Sequence, residues 1–207
     1  MNNIQLNFVN NSNDHNNYSV VIFQKNLAQG QQEKAVAWKV ISNCGSGDHH
    51  PFTFPVQLRI NTSDSYGNYT PSLPAIPGDA FNVVQITSGD TLKRSTEPAK
   101  VAQEIEVTNS LEKGSINVNC YRDGNLLSTC QNIVPSEMGA FQFKPAIFIG
   151  AIPEMVQGEI MNAAVVSEIN TEINLTGIAS ADIVMTGGGS GPESTPFSFT
   201  LENVIMA

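Results

Sequence analysis

Residues 115–133 read Ser115-Ile116-Asn117-Val118-Asn119-Cys120-Tyr121-Arg122-Asp123-Gly124-Asn125-Leu126-Leu127-Ser128-Thr129-Cys130-Gln131-Asn132-Ile133, and they hold the two signals that decide the fold. From Ser115 to Cys120 polar and apolar side chains alternate with period two, which predicts a strand with one face in a core and the other in water. Gln103-Glu104-Ile105-Glu106-Val107-Thr108 repeats the pattern, with Glu104 and Glu106 expected on the solvent side. Asp123-Gly124 then marks a tight hairpin, because both central residues of a type I′ turn need positive φ and Asp-Gly accepts it.

Outward from this hairpin, short runs rich in Val, Ile, Phe and Thr recur between clusters of Gly, Pro, Asn and Ser. They predict strands near 3–9, 18–25, 35–42, 52–60, 80–87, 103–109, 115–121, 126–133, 139–149, 171–177, 180–186 and 196–206. Alternating strands and helices are absent, so the expected class is all-β: one antiparallel, jelly-roll-like two-sheet β-sandwich domain over 1–207, with about ten to twelve strands. At 207 residues, 41% hydrophobic and only 14% charged, the chain is long and apolar enough to bury a core. The spacing of Val156, Ile160, Ala163 and Ala164 allows one short helix near 155–169, although Val165, Val166 and Ile169 favour a strand.

Charge narrows the partners. Ten Lys and Arg against nineteen Asp and Glu give a net charge of −9, and no Lys or Arg follows Lys144. Such a surface cannot release counterions from a phosphate backbone, so nucleic acid is excluded as an expected partner. The N-terminal residues lack a basic region followed by an apolar one, and no apolar run is long enough to span a bilayer, the best of them at 141–156 being broken by Lys144, Pro145, Pro153 and Glu154. With Cys44, Cys120 and Cys130 making an odd set, the expected compartment is the cytosol, without a signal peptide and with release by a non-classical route left open. The sequons at Asn10, Asn17, Asn61, Asn68 and Asn174 reflect the asparagine-rich composition.

Two constellations could carry function. Tyr66-Gly67-Asn68-Tyr69 lies in an expected long loop over 61–79 with Pro71, Pro74 and Pro77. Tyr66, Asn68 and Tyr69 are the candidate ligand-binding residues, since amphipathic rings on a polar loop make contact at low entropy cost, unless the rings fold back to cap the end of the fold. Asp48-His49-His50, four residues after Cys44, is the densest group of potential ligands for a divalent metal such as zinc, but it matches no standard metal spacing. No catalytic set is assigned: there is no Gly-x-Ser-x-Gly elbow, and Gly187-Gly188-Gly189-Ser190-Gly191 lacks the Lys that a phosphate loop needs and reads as a flexible connector. Trp38 is expected in the core. Gly45-Ser46-Gly47 before Pro51-Phe52-Thr53-Phe54 is echoed by Gly189-Ser190-Gly191 before Pro196-Phe197-Ser198-Phe199.

In general character the chain is similar to small lectins, cytolysin-like proteins and self-assembling inclusion proteins. That likeness implies a non-enzymatic, cofactor-free module that recognises a glycan, a lipid headgroup, a protein or a second copy of itself. The alternative is a metal-assisted enzyme using Asp48, His49 and His50.

Overall fold

A computed structural model describes residues 3–30 and 34–207. Among them sixteen strands run in chain order: β1 (Ile4–Asn10), β2 (Ser19–Phe23), β3 (Lys39–Ile41), β4 (His49–Phe54), β5 (Leu58–Asp64), β6 (Leu73–Ala75), β7 (Ala80–Ile86), β8 (Gly89–Arg94), β9 (Ile105–Asn109), β10 (Ile116–Arg122), β11 (Asn125–Ile133), β12 (Met138–Phe141), β13 (Ala146–Ile152), β14 (Thr171–Asn174), β15 (Ile178–Gly188) and β16 (Thr195–Met206). One α-helix, α1 (Ala163–Glu168), falls inside the expected window, started by Asn162, whose side chain accepts from the Val165 N–H. The class is all-β, as the strand runs predict. Four four-stranded sheets stand where the sequence reading has two: β16-β15-β1-β4, β14-β13-β2-β3, β11-β10-β5-β6 and β12-β9-β7-β8. The pairing is also mixed, β1 with β15 and β7 with β9 being parallel.

The reason for the higher count is local. Two predicted runs, 52–60 and 139–149, are each cut in two, into β4 and β5 and into β12 and β13, at stretches containing Pro55 and Pro145. Proline has no N–H to give a ladder, so it is confined to edge strands and strand ends: Pro51, Pro74 and Pro196 lie in the edge strands β4, β6 and β16, whereas Pro55 and Pro145 lie in the breaks. These cuts are also where the chain divides into two compact units, the first made of Met1–Gln24, Ala35–Val56 and Pro145–Ala207, the second of Lys25–Lys34 and Gln57–Lys144. Strands β6 and β8 are additional, short or polar runs that pair only because hairpins hold them against β5 and β7.

In the first unit β2 is buried along its whole length, Ser19-Val20-Val21-Ile22-Phe23, so both faces of its sheet are covered. One face packs Val21, Phe23 and Ile152 under Ala35, Ala37, Met161 and Ile169, with Val165 and Val166 of α1 against the same cluster. Trp38 is fully buried, edge-on to Phe52 and Phe54 with centroids 6.3 and 5.6 Å away. The two echoed segments lead into β4 and β16, the opposite edges of one sheet. The glycine run closes β15 and enters the turn to β16: Gly187, still within β15, has φ +88°, and a Cβ there would lie 2.2 Å from the Pro196 carbonyl oxygen.

In the second unit the expected hairpin forms, Arg122 pairing with Asn125 and the central Asp123 and Gly124 at φ 53° and 73°. The expected wet faces are a different matter. Glu104 and Glu106 are 5% and 4% exposed, the Glu106 carboxylate accepting from the Val101 N–H at 3.0 Å. Asn119 is buried as well, because its amide joins neighbouring strands: it donates to Asn61 Oδ1 at 3.1 Å and Ser63 Oγ at 3.4 Å, and accepts from Thr129 Oγ1 at 2.9 Å.

Candidate functional site

Strand β5 does not end where the sequence reading starts its long loop; it continues through Asn61-Thr62-Ser63-Asp64, and the loop proper is a tight turn after it. Asp64 organises that turn. Its Oδ1 accepts from the backbone N–H groups of Tyr66 and Asn68, both at 2.9 Å, and its Oδ2 from the Asn68 side-chain amide at 2.9 Å. These bonds, the Asn68 amide foremost, hold the Asp64 carboxyl below its ordinary pKa. Tyr69 returns the chain to β5 by bridging to Ser63, and the Thr70 N–H donates to the Thr62 carbonyl at 2.9 Å.

Asp64 holds the backbone of the turn, and the two rings project from it. Tyr66 is 89% exposed and Tyr69 64% exposed, so neither caps a core. Behind them the buried Asn61–Asn119–Thr129 amide row fixes β5, and Asn61 adds a bond to Ser72 Oγ at 3.3 Å. Tyr121 belongs to the same neighbourhood: burial raises its phenol, a hydrogen bond with the Asn61 side chain opposes this, and Tyr69 raises it further.

Beside the turn is a cleft of about 550 Å³, lined among others by Ser63, Asp64, Asn68, Tyr69, Gln85 and Asp90. Of the three residues expected to bind a ligand, Asn68 and Tyr69 line this cleft, and Tyr66 stands on the same turn outside its lining. Gln85 and Asp90 come from the β7–β8 hairpin, where they are directly paired. Nothing in their own stretch marks them; only the spatial approach of a second hairpin to the tyrosine turn gives them meaning.

Asp48, His49 and His50 are placed differently. Asp48 closes a turn, its Oδ2 accepting from the Gly45 N–H at 2.8 Å and its N–H donating to the Gly45 carbonyl at 3.0 Å. His49 and His50 begin β4 opposite Val9 and Phe8, so as neighbours in an extended strand they point to opposite faces, His49 exposed and His50 half-buried. Burial first, then the Lys39 charge, lowers the His50 pKa. Among the described residues no three His, Cys, Asp or Glu side chains gather into a group able to hold a metal ion. Cys44 is no activated thiol either, since burial and then the Asp48 charge raise its pKa.

A scan against protein-family models, a search of curated proteins and a search of solved structures each find no match to this chain. The site therefore stands on its geometry. Among the described residues no helix is long and apolar enough to cross a membrane, which leaves strands aside.

Proposed function

We propose that the chain is a non-enzymatic carbohydrate-binding module, each compact unit being a two-sheet β-sandwich, with the ligand gripped at the tyrosine turn of the second unit. The observation that carries the reading is Tyr69, 64% exposed at the rim of a polar cleft that also presents Asn68, Asp64, Gln85 and Asp90. A sugar has an apolar C–H face and a polar rim of hydroxyls. An exposed phenol ring takes the first, and amides and carboxylates, held in place beforehand, take the second.

Competing ligands fit less well. A lipid surface rich in anionic headgroups meets a protein of net charge −9. A flat protein partner would not need a concave polar cleft, and the phosphate of a headgroup would have to enter beside Asp64 and Asp90.

The test is a panel of immobilised glycans followed by titration calorimetry on the hits, with Tyr69→Ala and a Tyr66→Ala/Tyr69→Ala double variant. Removing an aromatic anchor should cost roughly 2 kcal/mol or more of binding, about thirtyfold, while thermal unfolding stays unchanged. Failure to bind any glycan at millimolar concentration, or unaltered affinity in the double variant, overturns the reading.

A further inference from the structure

The cleft at Tyr69 does not stand alone. A second depression of about 780 Å³ adjoins it, lined by Gln85, Ile86, Ser110, Leu111 and Glu112 among others, and Gln85 and Gly89 line both. Each has the size of a small-molecule site, and the two together are far larger than one sugar ring requires. Their common wall is the tip of the β7–β8 hairpin, where Gln85 pairs with Asp90 and Ile86 with Gly89. Successive residues of a strand face opposite sides, so Gln85 and the 41%-exposed Ile86 present an amide and an apolar surface on the two sides of the tip.

Charge restricts what can lie there. Asp64, Asp90 and Glu112 belong to the two linings, and no Lys, Arg or His is among the described residues of either. Like charges brought into one cleft repel over several ångströms, so a ligand carrying carboxylate, sulfate or phosphate groups is disfavoured.

Resting on the carbohydrate reading above, we propose that the ligand is a linear oligosaccharide without acid groups, held in two subsites that meet at Gln85. The first subsite is formed by Asn68 and Tyr69. The second is formed by Ile86 and Ser110, the isoleucine covering the C–H face of a further sugar and the serine hydroxyl, 3.4 Å from Asn82 Oδ1, meeting its rim. Gln85, with an acceptor and two donor hydrogens on one side chain, serves the sugar at the junction.

Titration calorimetry with neutral β-linked glucose and N-acetylglucosamine oligomers of increasing length, and with uronic-acid oligomers as the acidic counterpart, tests the proposal. Affinity should rise at least about tenfold from the single sugar to the tetramer, and the acidic oligomers should bind at least about tenfold more weakly than neutral ones of equal length. An Ile86→Ala/Ser110→Ala variant should lose the gain with length; the length series on the unaltered protein serves if that variant fails to fold. Affinity independent of length, or equal binding of the acidic series, overturns the two-subsite proposal and leaves the carbohydrate reading intact. No binding by any sugar overturns the carbohydrate reading and this proposal with it.

Discussion

Gly150 and Ile169 touch so closely that no other residue fits at the glycine: a Cβ at position 150 would lie 2.5 Å from the Ile169 Cβ and 2.6 Å from its Cα. Gly150 lies in the middle of β13 opposite Val21, and Ile169, only 1% exposed, ends α1. The helical segment rests on its sheet through this gap. Gly150→Ala forces the two backbones apart, and overpacking of this kind costs about 1–3 kcal/mol. In a chain of this size the thermal midpoint should fall by roughly 2–10 °C, read by circular dichroism, and an unchanged midpoint would show that the segment yields freely.

Asp64 governs the tyrosine turn through ionised oxygens. A carboxyl held below its ordinary pKa stabilises the turn fully above that ordinary value, and the contribution is lost as pH falls through the lowered one. Tyrosine fluorescence of the turn should therefore stay constant from neutral pH down through the usual carboxylate range and change only below it. Asp64→Ala should abolish this acid transition; persistence of the transition would assign it to another carboxyl.

Asn119 spends its side-chain bonds on Asn61, Ser63 and Thr129. Asn119→Ala leaves those partners buried and unsatisfied, at a cost of roughly 1–3 kcal/mol for each group that water cannot reach. Urea unfolding should show the midpoint lowered with the slope unchanged, and a neutral result would mean that water fills the gap.

The three thiols should separate by burial. Cys120 and Cys130 are buried in the β10–β11 pair, and burial pushes both pKa values up to about 12. Cys120 faces Ser128 and Cys130 faces Val118, so they are not a directly opposed pair. At pH 8 a disulfide reagent should label the native protein at Cys44 alone, and slowly, and should count three thiols once the chain is denatured. Rapid native labelling of Cys120 or Cys130 would mean that this hairpin opens.

What the sequence shows is what short-range chemistry dictates. Asp123-Gly124 specifies its turn because the two residues themselves supply positive φ, and the short helix near 155–169 was legible in the spacing of Val156, Ile160, Ala163 and Ala164. The turn that carries Tyr66 and Tyr69 follows from a local event too, the capture of its amides by Asp64. The burial of Glu106 and Asn119 does not, because it depends on what covers a strand: Val101 reaches Glu106 through the fold of its own loop, and Asn61 reaches Asn119 across 58 positions. The division of 52–60 and 139–149 was legible in Pro55 and Pro145, but alternation on either side of a proline imitates one strand. Gln85 and Asp90 are silent in the sequence for the same reason as Asn61, since their neighbour is a distant hairpin.

The parallel pair β1–β15 has a consequence for how the chain is made. Asn7 meets Asp182 across 175 positions, and between them lies the whole of the second unit. At ordinary rates of translation that interval is about 10–35 s, during which β1 is outside the ribosome with its parallel partner not yet synthesised. Residues 57–144 are contiguous and complete long before, so their sheets are free to form first. The first unit, by contrast, cannot close until β13 to β16 are made, and the open edges of its early pairs β1–β4 and β2–β3 are where a holding chaperone would bind a nascent chain of this protein.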